Sequence, residues 1–262
     1  MNRYLQYQLT HLLHPVNTDS KIAKNEGDKI MPEDDEMKAH SYASPPCLAH
    51  EIDPAYFDPL AVDPQQALDV ARWRKAERAR LLSERAALPV ARRQNAAQKI
   101  TAHVDKYLHE RLGSIEGMTI SAWWPIKAEL DLRTWMKNLS KRGARAALPV
   151  VVEPKTPLEF RVWTPQTRME RGFWNILVPA EGENVLPDVT LAPIVGWDDA
   201  NYRLGYGGGY FDRTLAKLLP QPLAIGIGLD AARVSTIFPQ PHDIPMNAII
   251  TEKGLVARKQ QN

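Results

Sequence analysis

Apolar positions recur along this chain with two different periods. The segment over 66–87 is strongly helix-forming and rich in arginine. It is opened by Asp63-Pro64, an N-cap residue followed by proline at the first helical position. Beyond Leu88-Pro89, the residues Ala97, Ile100, Val104 and Leu108 recur at three- and four-residue spacing. That spacing places them in one stripe of a second helix. From there short apolar runs alternate with helical segments. The pattern predicts strands over 119–124, 146–152, 158–163, 191–195, 223–229 and 248–251, with helices over 132–142 and 210–219. Continuous apolar strands alternating with helices argue for an α/β domain with a mostly parallel sheet covered by helices. No internal repeat is visible.

The first 62 residues follow neither period. They hold four of the seven histidines, the acidic run Glu33-Asp-Asp-Glu36 and a proline-rich end. The expectation is a largely irregular arm over 1–62 and a single domain over 63–258. Within the arm, Cys47 and His50 stand three apart with Glu51 adjacent. This pair is too small a set for a full metal site, and a metal or protein contact there is left open beside simple docking of Tyr56 and Phe57.

With 33 basic and 31 acidic residues, the balance of charge points to neither nucleic acid nor membrane as partner. The one cysteine excludes an intramolecular disulfide and fits a reducing, cytoplasmic compartment. No apolar run approaches the roughly 18 residues of a spanning helix, and the N-terminal residues do not read as a signal peptide.

The candidate chemistry lies in Arg203-Leu-Gly-Tyr-Gly-Gly-Gly-Tyr-Phe-Asp-Arg213. Glycine costs the most chain entropy on folding, so four glycines within five positions (Gly205, Gly207, Gly208 and Gly209) suit a backbone approached closely by a ligand. A strand before the run and a helix from Tyr210 would aim free N–H groups and the helix dipole at an anion, phosphate first. No Gly-Lys-Ser/Thr follows, so this is not a P-loop, and a dinucleotide fingerprint would follow the first strand. Asp212, in the first helical turn, either holds Mg²⁺ against phosphates or stabilises the helix N-terminus.

The run resembles the signature of the 5-formyltetrahydrofolate cyclo-ligase family, the methenyltetrahydrofolate synthetases. Upstream, Pro193-Ile-Val-Gly-Trp-Asp198 is similar to the family's lead-in. Downstream, His242-Asp243 and Ile249-Ile-Thr-Glu252 are similar to its close. The resemblance covers roughly residues 70–255. It implies a three-layer α/β fold and an ATP- and Mg²⁺-dependent cyclisation of 5-formyltetrahydrofolate to 5,10-methenyltetrahydrofolate. It also implies roles for residues. Arg74, Lys75 and Arg78 would meet the nucleotide phosphates, together with Arg203, the glycine loop from Gly205 through Tyr206 to Gly209, Tyr210 and Phe211. Arg203 and Arg213 would act in phosphoryl transfer. Trp124, Glu129, Trp174 and Tyr210 would meet the reduced folate, and Asp212 and Asp243 would carry Mg²⁺.

Two positions depart from the family pattern. Gly208 stands where many members have lysine, so the charge at the loop must come from Arg213, Arg203 or Arg74. Asn175-Ile-Leu-Val-Pro179 lacks an acidic residue that many members carry. A non-catalytic nucleotide- or folate-binding regulator, an enzyme acting on another formylated substrate, and an interaction module built on the arm remain open at this point.

Overall fold

The computed structural model describes residues 64–256. The arm over 1–62, with Cys47, His50, Glu51, Tyr56 and Phe57, lies outside them. Two helices come first, α1 (Pro64–Ala87) and α2 (Val90–Leu112). The strands are β1 (Thr119–Ser121), β2 (Arg145–Val150), β3 (Glu159–Trp163), β6 (Val189–Pro193), β9 (Leu223–Ile227), β10 (Ala248–Thr251) and β11 (Gly254–Leu255). They form one seven-stranded sheet in the order β11-β10-β9-β6-β1-β2-β3. The five inner strands run parallel, and the edge strands β3 and β11 pair antiparallel to their neighbours.

Alternation along the strands sorts the core into two faces. Val189, Leu191, Ile225, Ile227, Ala248 and Ile250 point to the side covered by α2 and by α3 (Arg133–Leu139). The stripe Ala97, Ile100, Val104 and Leu108 is buried in that layer, as its spacing predicts. The intervening Ala192, Ala224 and Ile249 point the other way, against Leu215 of α4 (Tyr210–Lys217). Helix α1 covers a separate region, where Leu81 packs with Val195, Leu204, Val234 and Ile237. These are the three layers expected from the sequence.

Element ends differ from the sequence reading for local reasons. Strand β1 stops at Ser121. The Ala122 amide extends the ladder to the Ala147 carbonyl by one bond (3.1 Å), and the chain then leaves the sheet at Trp123-Trp124-Pro125. The helix expected over 132–142 is α for seven residues and tightens to a 3₁₀ turn, Ser140–Arg142, closed by Gly143 at φ 74°. Two short hairpins were not foreseen: β4 (Met169–Arg171) with β5 (Leu177–Pro179), and β7 (Gly196–Trp197) with β8 (Arg203–Leu204). Both lie beside the glycine run or reach over it.

Candidate active site

Strand β8 delivers Arg203 and Leu204 into the glycine run, and α4 begins directly after Gly209. Gly207 (φ 105°) and Gly209 (φ 64°) hold left-handed backbone, which lets the chain reverse into the helix without side-chain strain. Two arginines fasten the loop by its carbonyls. The Arg78 Nε donates to Gly205 O at 2.6 Å, and an Arg213 Nη2 donates to Gly208 O. The Arg213 guanidinium also lies 5.1 Å over the Tyr210 ring. A Cβ on Gly208 would stand 2.8 Å from that same ring. The tyrosine therefore occupies the space that a side chain at this position would need.

The loop forms one wall of a cavity of about 530 Å³, within the range of small-molecule sites. The cavity gathers the sequence-selected residues Arg74, Arg78, Trp124, Glu129, Trp174, Arg203, Asp212, Arg213 and Asp243, together with the loop from Gly205 to Phe211. It does not gather Lys75, which is exposed. One step along a helix turns the side chain by about 100°, so the neighbour of Arg74 leaves the face that Arg74 and Arg78 share.

Part of the cavity lining is aromatic. Trp124 stands edge-to-face with Trp163 at 6.3 Å and carries the Arg133 guanidinium 4.8 Å over its ring. Trp174 is presented at the bend between β4 and β5, at φ 53°, and meets Tyr210 edge-to-face at 5.2 Å. Glu129, in the same lining, is buried. Its carboxylate accepts from the Ile126 amide at 2.8 Å, and the Tyr206 hydroxyl faces it. Burial pushes its pKa up to about 7, against the opposing pull of the Ile126 amide, the Arg85 charge, the Tyr206 hydroxyl and the Lys127 charge. Burial likewise raises the Tyr206 phenol and keeps it protonated, and burial lowers His242, which also lines the cavity.

The acidic residues near the loop are already engaged. Asp212 pairs with Arg203 at 3.0 Å and accepts the Ile244 amide at 3.1 Å. Asp243 pairs with Arg74 at 2.5 Å and accepts the Gln240 amide at 2.6 Å. Arg74 is further tied to the carbonyls of Ile237 and Phe238, both at 2.9 Å. Asp198 accepts the amides of Ala200, Tyr202 and Ile237, which fixes the β7–β8 turn and places it outside the cavity lining. Among the described residues no group of three or more His, Cys, Asp or Glu side chains could hold a metal ion. Asp212 and Asp243 therefore do not fit a magnesium ion held by the protein alone. Mg²⁺ binds through one or two carboxylates plus substrate phosphates and keeps several waters.

The cavity adds residues that the sequence reading did not select. Trp123 and Lys127 line it, and among the described residues the buried Trp123 Nε1 has no hydrogen-bond partner. Arg85 lies just behind, bonded to Tyr206. A signal for Arg85 existed. Positions 74, 78, 81 and 85 follow the 4-3-4 spacing of one helix face, so Arg85 lies on the same side of α1 as Arg74 and Arg78. Nothing comparable marked Lys127, which stands in an irregular turn.

Comparison with known proteins places these features in a group. Residues 70–252 match the family model described as the 5-formyltetrahydrofolate cyclo-ligase family. A protein of Mycolicibacterium smegmatis named 5-formyltetrahydrofolate cyclo-ligase is 30% identical over 195 residues, 69% of this chain and 94% of that one. Its namesake in Escherichia coli K12 is 32% identical over 143 residues, 51% of this chain and 77% of that one. The NMR structure of Aquifex aeolicus 5,10-methenyltetrahydrofolate synthetase superimposes with a TM-score of 0.60 at 25% identity, covering 72% of this chain and 94% of that one. The synthetase from Mycoplasma pneumoniae gives 0.55 at 27% identity, covering 68% and 98%.

Proposed function

The chain belongs to the 5-formyltetrahydrofolate cyclo-ligase family, and from that premise we propose that it uses ATP to close 5-formyltetrahydrofolate to 5,10-methenyltetrahydrofolate, releasing ADP and phosphate. One observation carries this reading. A single cavity is lined by a glycine cradle flanked by arginines, by an aromatic wall and by a buried carboxylate. A polyanion and a flat heterocycle can therefore meet inside it.

In this reading the formyl oxygen attacks the γ-phosphorus of ATP, and the bond to ADP breaks. The neighbouring folate nitrogen attacks the activated carbon, its proton leaves, and the carbon–oxygen bond breaks to release phosphate. Such a sequence calls for positioning and charge neutralisation rather than an enzyme nucleophile. The loop receives the phosphates, and Arg78 and Arg213, fastened to its carbonyls, supply the positive charge that Gly208 does not. Arg203 serves the loop as a strut through its buried pair with Asp212, and Arg74 serves α1 in the same way through Asp243. Trp124, Trp174 and Tyr210 enclose the heterocycle, and Glu129 accepts its N–H donors. Magnesium, if it takes part, arrives on the phosphates, and no step is assigned to it.

No helix among the described residues is long and apolar enough to cross a membrane. The working assignment is a cytoplasmic enzyme on a small-molecule substrate, with 63–258 as the catalytic domain. The test is a spectrophotometric assay of purified protein with ATP, Mg²⁺ and 5-formyltetrahydrofolate. The expected result is methenyltetrahydrofolate formed one-for-one with ADP. ATP binding without folate-dependent ADP would overturn it in favour of a regulator.

A further inference from the structure

The turn that carries Glu129 is built under strain. Lys127 (φ 46°) and Ala128 (φ 61°) both hold left-handed backbone without being glycine. Each such residue costs on the order of 1 kcal/mol and persists only where its surroundings over-determine it. The Glu129 amide donates to Ile126 O at 2.8 Å, and the Glu129 carboxylate accepts from the Ile126 amide at 2.8 Å. The third restraint comes from another element. Arg85 of α1 donates from Nη2 to the Lys127 carbonyl at 3.2 Å and to the Tyr206 hydroxyl at 2.5 Å. That nitrogen carries two hydrogens, one for each acceptor. The Tyr206 hydroxyl in turn faces the Glu129 carboxylate.

Arg85 is buried but does not line the cavity. Among the described residues no carboxylate pairs with it, and its buried Nε has no hydrogen-bond partner. Its charge is therefore not neutralised before it reaches Glu129. The charged or titratable groups facing Glu129 are Arg85 from α1, Tyr206 from the glycine loop and Lys127 from the turn itself.

We propose that Arg85 is a positioning residue for Glu129: from behind the cavity it clamps the strained turn to the glycine loop through the Lys127 carbonyl and the Tyr206 hydroxyl. The heterocycle end and the phosphate end of the site then hold one geometry, and the ionised form of Glu129 is favoured by a cation that never touches substrate. The proposal deepens the reading of Glu129 as a folate-binding carboxylate and rests on it.

The experiment compares wild type with Arg85→Gln, Arg85→Lys and Tyr206→Phe. Arg85→Gln should lower kcat/KM for the folate about tenfold or more, while KM for ATP changes less than about twofold. Losing the cation disfavours ionised Glu129, so the Glu129 limb of the kcat/KM pH profile should move to higher pH. Arg85→Lys keeps the charge and should leave that limb in place while still weakening folate use. Tyr206→Phe should move it upward, as Arg85→Gln does. Folded Arg85→Gln protein with wild-type folate kinetics, or with equal losses for both substrates and an unmoved limb, would overturn the proposal. If Arg85→Gln does not fold, Arg85→Lys and Tyr206→Phe decide by the same limb. If wild type does not cyclise the folate at all, the functional reading fails separately. The clamp is then read from the titration of carbon-13-labelled Glu129 in Arg85→Gln and Tyr206→Phe, where an unmoved midpoint would reject it.

Discussion

Arg203 and Asp212 form a buried ion pair at 3.0 Å across the glycine loop, their side chains 5% and 9% exposed. The pair joins the residue that enters the loop to the first turn of the helix that leaves it. Removing one member strands the other charge in the interior, which costs about 3–5 kcal/mol. Asp212→Ala should accordingly lower the free energy of unfolding by that amount and abolish turnover. Urea melts with and without Mg²⁺ check the cause. A loss that appears only when Mg²⁺ is present would return Asp212 to the role of metal ligand.

Glu129 makes stability depend on pH in the direction opposite to a salt-bridged acid. Its pKa is raised by burial from 4.5 to about 7 in the folded protein. Between these values the folded state binds more protons than the unfolded one, so Glu129 subtracts stability as pH rises through that window. The effect is on the order of 3 kcal/mol. Denaturant unfolding at pH 5 and pH 8 should show a smaller loss for Glu129→Gln than for wild type. Parallel curves would show that the carboxyl is not perturbed.

Restoring a side chain in the loop should harm rather than help. At Gly208 a Cβ meets the Tyr210 ring at 2.8 Å, so Gly208→Ala and Gly208→Lys must displace that ring from Trp174. The expected outcome is a loss of about 10- to 100-fold in kcat/KM for the folate. An increase in the lysine variant would show that charge at this position outweighs the ring.

Helix α1 offers a paired control. Arg78 is fastened to the loop and Lys75 is exposed. Arg78→Ala should weaken ATP binding by about 2 kcal/mol, near the value of a charge-assisted hydrogen bond, while Lys75→Ala should leave it unchanged. Isothermal titration with a non-hydrolysable nucleotide measures both. Equal losses would restore Lys75 to the site.

Trp174, 37% exposed at the bend between β4 and β5, tests the aromatic wall without threatening the core. Trp174→Ala should change stability by less than about 1 kcal/mol, as surface substitutions do, yet raise KM for the folate severalfold. Thermal melts and steady-state kinetics separate the two effects.

Much of this arrangement was legible in the sequence, for identifiable reasons. Strands buried on both faces read as continuous apolar runs, so β2, β6, β9 and β10 were placed within a few residues. The hairpin β4–β5 left no such trace, because Met169-Glu-Arg171 faces solvent on most of its length. The glycine run announced the site because no core element needs four glycines. The pairing of Asp212 and Asp243 with arginines did not show, since a carboxylate reads the same in sequence whether it meets a metal or a guanidinium. Arg85 was hidden by the abundance of arginine in α1. Only the periodicity that begins at Arg74 separates it from its solvated neighbours.

That periodicity gives α1 a further property. Arg74 grips the 237–243 segment, Arg78 the glycine loop and Arg85 the glutamate turn, all from one helix. From Arg74 to Arg85 the rise is about 16 Å. The helix thus acts as a ruler for the three grips, and its rise per residue sets the distances between the segments they hold. Inserting a single residue between Arg78 and Arg85 would change that length by only about 1.5 Å. It would also rotate one grip by roughly 100° away from its target. The spacing of the three segments around the cavity is therefore quantised, in steps of one residue along α1.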